Sequence, residues 1–396
     1  MRIAILADFH LGYPKFEEDS FRQAEEAFGR ACEEADLVVL LGDIFDARTP
    51  KQEILARSFG MFRKAFERKW DVRLVEYTSR DGKVNYTRIP VVAIHGTHER
   101  RTKGLVNPVE LLEKAGFVVN VHSAVAVFEK GGERVAVQGM GGVPEEYARG
   151  VLEALSPKPV KDAFNIFIFH QSMKEFLPGD SLMGVENLPK GFDLYLCGHM
   201  HTRKIEKLDG ALLIIPGSTV VTQMRKEDEE RKGFFVFDTE KKNAEFYEIK
   251  TRPFFYEELE FEGAKLDEVV RKVRERVERA IEKSEEMPVV KVKIKGKLAK
   301  GLDPSNLELG GVVREFEGRA VVELEKEMES DELRERVEKI RSLREGRVSV
   351  REMGIEILKR KLKEYGVVDC DVEMLYSILS ENKKDAPQKA LSKMLE

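Results

Sequence analysis

Five of the seven histidines and two of the aspartates stand where a short apolar run ends. IAILADFH closes on Asp8 and His10, LVVLLGD on Asp43, VVAIHGTH on His98, NIFIFH on His170, and LYLCGHMH on His199 and His201. Imidazole and carboxylate without thiolate suit Mn²⁺, Fe²⁺ or Zn²⁺ better than Ca²⁺ or a structural zinc. Seven such groups are more than one ion takes. Two ions roughly 3.5–4 Å apart, bridged by an aspartate, would acidify a water and hold the oxygens of a phosphoester under hydrolysis. One histidine at a strand end is usually structural; it is the convergence of five that points to a metal site.

Such convergence needs an α/β framework, because ligands in open α/β sheets gather at the carboxyl ends of strands. The first 220 residues have that texture, with short apolar runs alternating with helical patterns. Phe21, Ala24, Phe28, Ala31 and Ala35 recur at helical spacing behind a Ser20/Gln23 capping box. A second helix is expected after Thr49 and Pro50, with Leu55, Phe59, Phe62 and Phe66 on one face, and a third opens at Asn107–Pro108 and closes at Gly116. Residues 72–88 read as a basic hairpin turning at Asp81–Gly82. Further strands are expected at ERVAVQG, NIFIFHQ, DLYLCGH, ALLIIPG, GFFVFDT and AEFYEI.

After residue 250 the pattern changes. Leu266, Val269, Val270, Val273, Val277 and Ile281 form a helical stripe, then Val290, Val292 and Ile294 alternate as a strand, which predicts a small α+β domain over 251–326. Residues 327–347 read as a charged linker. Residues 348–396 carry two amphipathic patterns, Met353, Ile357, Leu358, Leu362, Tyr365 and then Val372, Leu375, Leu379, too small for a core of their own.

A chain of 396 residues exceeds one core and predicts two or three domains. Charged residues reach 35% against 42% apolar, which is globular, and the formal net charge of -5 leaves any nucleic-acid site local, not global. Cys32, Cys197 and Cys370 stand far apart, which argues against a disulfide framework or a zinc ribbon. The first strand starts at Arg2 and no apolar run has the length of a membrane span, so the expectation is a soluble, cytoplasmic protein.

DFH, GDIFD, GTHE, FHQ and GHMH, in that order, resemble the five motifs of the calcineurin-like metallophosphoesterases, which run DxH, GD, GNH[DE], H and GHxH. ADFHLGY, PGST at 216–219, KGFFVFD, the RPF junction at 252–254, the small second domain and the tail resemble the archaeal double-strand-break repair nucleases of the meiotic recombination eleven family, related to SbcD. The resemblance implies a metallophosphoesterase β-sandwich flanked by helices, with an α+β DNA-capping domain and a C-terminal helical tail. It implies a nuclease domain over 1–250 that is a Mn²⁺-dependent double-strand exonuclease and single-strand endonuclease. Asp8, His10 and His201 would hold one Mn²⁺, His170 and His199 the other, and Asp43 would bridge. His98 would be the catalytic histidine that protonates the leaving oxygen. His95 has no motif role and reads as structural. Thr97 stands where the family has the Asn that ligates the second ion, so water, a weaker second site, or Glu99 would have to make up the difference.

The family works as a homodimer, which places helices 49–66 and 107–116 at the contact, and grips an SMC-like coiled-coil ATPase of the Rad-fifty type, here through residues 348–396. Its action on DNA implies a nucleoid-associated place in the cytoplasm. Arg100, Arg101 and Lys103 after His98, and Arg80 and Lys83 in the hairpin, are candidate DNA contacts; the bland reading of each is a solvated charge. Two rival functions stand beside the nuclease. The motifs alone do not choose among phosphoesters, which leaves a small-substrate phosphodiesterase or phosphatase, and Thr97 leaves a DNA-binding scaffold with an impaired nuclease site.

Overall fold

The computed structural model describes residues 1–79, 89–102, 104–177, 183–329, 350–364 and 371–380. Among these the element order is β1 (Arg2–Leu6), α1 (Glu17–Glu34), β2 (Leu37–Leu40), α2 (Gln52–Glu67), β3 (Arg73–Ser79), β4 (Val91–Ala93), α3 (Pro108–Lys114), β5 (Val119–Asn120), β6 (Ala124–Lys130), β7 (Glu133–Met140) and α4 (Glu145–Leu155). Then follow β8 (Phe164–His170), β9 (Leu194–Gly198), β10 (Lys204–Leu208), β11 (Ala211–Ile215), β12 (Gly233–Asp238), β13 (Asn243–Glu248), β14 (Phe254–Ala264), α5 (Leu266–Glu282), β15 (Val289–Leu298), α6 (Gly310–Glu315), β16 (Val321–Glu329), α7 (Val350–Glu364) and α8 (Val372–Ser380).

Strict alternation explains the two main sheets. One runs β13-β12-β1-β2-β4-β5 and the other β10-β11-β9-β8-β7-β6-β3. Ile3, Ile5, Val39 and Val92 of the first sheet share a buried cluster with Val135, Val137, Ile166, Ile168, Leu194 and Leu196 of the second. The residues between them point the other way: Ala4, Leu6, Val38 and Leu40 pack with Phe21, Phe28 and Phe62 of α1 and α2. Phe167, Phe169 and Cys197 pack with Ala148 and Leu152 of α4. The strands are apolar on both faces because each sheet is covered on both, the helix-flanked sandwich that the sequence leads one to expect. Burying each phenyl ring contributes about 1.5–3 kcal/mol.

The parallel pairs β1–β2 and β2–β4 in one sheet and β8–β9 in the other bring the predicted residues to the carboxyl ends of three neighbouring strands of the first and two of the second. The local signals fared unevenly. Asn107 caps α3 in a full capping box with Glu110, and Gly116 beyond its end takes φ 80°. The Ser20/Gln23 box is corrected: α1 starts a turn earlier at Glu17, and the Ser20 hydroxyl donates to the Glu17 carbonyl at 2.7 Å. Thr49 and Pro50 likewise precede α2, whose N-cap is Lys51. β3 pairs antiparallel with β6, some fifty residues on, while the turn and return strand of the expected hairpin lie outside the described residues. β16 continues through Glu329, so the first residues of the expected linker are strand; residues 330–347 lie outside the described residues.

The chain divides into two compact units. The first comprises Met1–Glu257, Val277–Lys291 and Phe316–Glu323, and the second includes Glu258–Arg276 and Val292–Glu315. The three-stranded sheet runs β14-β15-β16. Val290, Val292 and Ile294 of β15 are buried, while Lys293 alternates with them and pairs with Glu325 at 3.2 Å and Glu327 at 2.5 Å. α7 and α8 approach closely, since a Cβ on Gly354 would sit 2.2 Å from the Tyr376 ring.

Candidate metal centre

The centre rests on a strained backbone. Asp8, His10, Asp43 and His199 have φ of 54°, 47°, 46° and 77°, in the left-handed region that costs side-chain-bearing residues about 1–3 kcal/mol each. Asp and His are among the types that enter it most readily. Hydrogen bonds between the strand-end loops offset the strain: Asp8 N–H donates to the Gly42 carbonyl at 3.1 Å, His10 N–H to Asp43 at 3.0 Å, and His199 N–H to the Asp8 carboxylate at 3.2 Å. Glycines leave the room. A Cβ on Gly96 would fall 2.1 Å from Asp43 Oδ1, and one on Gly198 would fall 2.7 Å from His170 Nδ1.

Three groups that could hold an ion form among the described residues, one of them His10 with Asp46 and His98; the other two take up the predicted ligands. In one, the ligand atoms of Asp8, His10 and His201 lie within 4.8 Å of one another, and in the other those of Asp43, His170 and His199 do. His10 Nε2 faces His201 Nε2 at 3.2 Å, and His170 Nε2 faces Asp43 Oδ2 at 3.1 Å. Two nitrogens each about 2.0–2.1 Å from a common ion would stand about this far apart. The imidazoles are also turned for the task. His10 Nδ1 lies 3.0 Å from Asp46 Oδ1, His201 Nδ1 2.8 Å from Thr222 Oγ1, and His170 Nδ1 2.7 Å from the Leu41 carbonyl. Each outer partner can take the Nδ1 proton, which leaves an Nε2 lone pair facing inward. The donor set therefore fits two divalent cations.

The charges respond to burial and to one another. Burial pushes the Asp8 carboxyl up to about 7, against the pull of His170. Asp43 is opposed by burial too, but His170 and His10 hold its carboxyl far below the usual range. Burial works against charge on His170, yet Asp43 raises it to about 9. His199 is lowered to about 4 and His201 well below its ordinary value, both chiefly by burial. Neutral His199 and His201 beside an anionic Asp43 are in the protonation states that ligation requires, whereas His170 holds a proton at neutral pH that an arriving ion would have to displace.

His98 differs from the rest. Its side chain is 46% exposed where those of His10, His170 and Asp8 are almost wholly buried, which leaves it open to solvent beside the ligand groups. Its Nδ1 lies 3.1 Å from the Asp46 carbonyl and 3.3 Å from Asp46 Oδ1, and the bond to Asp46 raises it to about 9. Its backbone N–H donates to Asp43 Oδ1 at 2.8 Å. Thr97 is brought to the centre as well, its hydroxyl donating to Asp43 Oδ2 at 3.2 Å. Glu99 cannot stand in for the absent amide as matters lie. It is fully buried with both oxygens on backbone amides, Phe45 N–H at 2.9 Å and Gly96 N–H at 2.8 Å, and burial lifts it to about 8.

Of the candidate DNA contacts, Arg100 is half-buried, and Arg101 donates to the Val106 carbonyl at 3.2 Å, tied to its own loop. Lys103, Arg80 and Lys83 lie outside the described residues. His95 is buried edge-on to His122 at 4.6 Å, and burial lowers it to about 3. Asp46 and Thr222 stand against candidate ligand histidines, and sequence patterns alone did not single them out. Asp46 had a visible signal, the second aspartate of GDIFD; Thr222 had none.

Residues 1–203 match the family described as Calcineurin-like phosphoesterase. The chain is 30% identical over 276 residues to the DNA double-strand break repair protein Mre11 of Methanopyrus kandleri, covering 63% of this chain and 56% of that protein. It is 31% identical over 250 residues to the double-strand break repair protein MRE11 of Encephalitozoon cuniculi, covering 57% and 43%. With the Mre11 of Saccharolobus solfataricus it shares 27% over 256 residues, covering 61% of each. The chain thus spans about half the length of the curated relatives it matches.

Proposed function

The chain belongs to the calcineurin-like phosphoesterase family, and from that premise we propose that it is a Mn²⁺-dependent DNA nuclease of double-strand-break repair, with double-strand exonuclease and single-strand endonuclease activity. The observation that carries the reading is the pair of adjoining ligand groups with an exposed histidine beside them. Similarity to proteins named for double-strand-break repair supports DNA as the substrate. Asp8, His10 and His201 would hold one ion and His170 and His199 the other, with Asp43 shared and Thr97 beside the second. When bound, the ions supply charge for the phosphoryl oxygens and acidify the attacking water.

The chain's own part is orientation and proton transfer. With Nδ1 bound to Asp46, His98 offers Nε2–H toward solvent, and its raised proton affinity keeps it an imidazolium at neutral pH. As the phosphorus–oxygen bond breaks, that proton passes to the leaving oxygen and neutral imidazole remains. Arg100 stands two residues on, in reach of the flanking phosphate backbone by its position.

The same reading assigns nuclease chemistry to 1–250, DNA capping to 251–326, a charged linker to 327–347 and ATPase binding to 348–396, with action at the nucleoid in the cytoplasm. Homodimerisation through α2 and the start of α3 is supported by Phe66, Leu105 and Val106, which are 51%, 52% and 44% exposed. The test is cleavage of linear double-stranded DNA with Mn²⁺ beside a chromogenic phosphodiester. DNA should be degraded, and His98→Ala should lose about 10²–10⁴ in rate while keeping its metal. Cleavage of the chromogenic ester alone would favour a small substrate.

A further inference from the structure

We infer that Thr222 is a positioning residue for the metal group of Asp8, His10 and His201, fixing His201 from outside the ligand set. The inference rests on the reading of His201 as a ligand. Thr222 lies on the chain that leaves β11, half-buried, and its Oγ1 stands 2.8 Å from His201 Nδ1. For Nε2 to offer a lone pair, the imidazole must carry its proton on Nδ1, and an acceptor at that distance holds both tautomer and ring.

The backbone on either side of this contact is itself held. Tyr13 O–H donates to the Thr222 carbonyl at 3.0 Å, and Tyr13 N–H donates to the His10 carbonyl at 2.9 Å, which ties the loop of one ligand to the partner of the other. Ser218 N–H donates to the His201 carbonyl at 3.2 Å, and the Ser218 hydroxyl to Val220 at 2.8 Å. Buried Lys232 donates to Ser218 Oγ at 3.1 Å and pairs with Asp228 at 2.7 Å. The arrangement also differs from that of His10, whose Nδ1 partner is the carboxylate of Asp46. A carboxylate can only accept, whereas a hydroxyl can also donate to Nδ1 when Nε2 holds the proton.

Calorimetric titration of the full chain with Mn²⁺ tests this, with thermal melting in excess chelator as the control for folding. Thr222→Val keeps the shape and removes the hydroxyl; one of two Mn²⁺ equivalents should weaken by about tenfold or more, with melting in chelator nearly unmoved. Thr222→Ser should restore the affinity, and Tyr13→Phe should show a smaller loss in the same equivalent. Wild-type affinity for both equivalents in Thr222→Val would overturn the inference, as would a loss that Thr222→Ser does not recover. His201→Ala separates the two levels. If it loses that equivalent while Thr222→Val does not, only the positioning role fails; if it binds both, the ligand reading fails first.

Discussion

Asp46 presents one carboxylate oxygen to two histidines, His10 at 3.0 Å and His98 at 3.3 Å. Its own carboxyl is opposed by burial yet held below the ordinary range by both imidazoles. The sign of its effect on catalysis follows. In the proposed reaction the proton donor is the imidazolium, present below the His98 value of about 9 and lost above it. Asp46→Asn removes the charge that raises that value, so the alkaline fall of kcat at saturating Mn²⁺ should move to lower pH, by on the order of one to two units. A profile measured from pH 6 to 10 that does not move would detach Asp46 from His98. Thr97 offers a second residue-scale test. Its hydroxyl donates to the same Asp43 oxygen that faces His170, and reaches less far than an amide. Thr97→Asn should lower the Mn²⁺ concentration for half-maximal cleavage, by about the tenfold that 1.4 kcal/mol represents. Unchanged Mn²⁺ dependence would mean that Thr97 already completes the site. The candidate ligand types at strand ends are legible in the sequence because metal chemistry restricts them to a few residues. Thr222 was not, because any of several polar side chains could serve at that position, and only the fold brings residue 222 to residue 201.

At the scale of elements, the strands were read from alternation and the site from where they stop. What alternation could not give was the start of helices and the edges of sheets. Ser20 looked like a cap, but a serine in the first turn can equally donate back to a carbonyl, as it does to Glu17. β10 was missed because KIEKL is exposed along an edge and shows no apolar face. The glycines between strand and ligand are where the element decides the chemistry. Gly96 does not require positive φ, so Ala is allowed there by backbone and forbidden by space, its Cβ falling 2.1 Å from Asp43 Oδ1. Gly96→Ala should displace Asp43, cost about 1–3 kcal/mol by overpacking and reduce bound Mn²⁺. Gly60, in the exposed middle of α2 with nothing within 4 Å of where an alanine methyl would stand, is the contrast. Gly60→Ala should raise stability by about 0.5–1 kcal/mol and leave metal binding alone. Melting and elemental analysis of the two variants side by side would expose the argument if both behaved alike.

Over the whole molecule, the candidate ligands all fall in the first compact unit, while the last described helices, α7 and α8, belong to the other end of the chain. Helices of 15 and 9 residues are marginal in isolation. They are packed on each other at Gly354 and Tyr376, with Leu375 buried, yet Ile357 and Leu379 remain 40% and 42% exposed. Amphipathic spacing showed that these segments would be helical, but a stripe of apolar residues does not say what covers it; the ATPase came from resemblance alone. The two possibilities, a partner's surface or the protein's own, predict different things on truncation. If the exposed residues of α7 and α8 serve a partner, removing residues 348–396 should leave the melting temperature of the remainder and its Mn²⁺-dependent cleavage of short DNA nearly unchanged. Association with the coiled-coil ATPase in size-exclusion chromatography should be abolished. Co-elution of the truncated chain with the ATPase would refute the assignment, and a large fall in melting temperature would show instead that the tail stabilises its own chain. Ile357→Asp with Leu379→Asp in the 396-residue chain resolves the same question without truncation. Two charges on exposed positions cost the fold little, generally within about 0.5 kcal/mol each, whereas an apolar face docked in a partner's groove would not tolerate them.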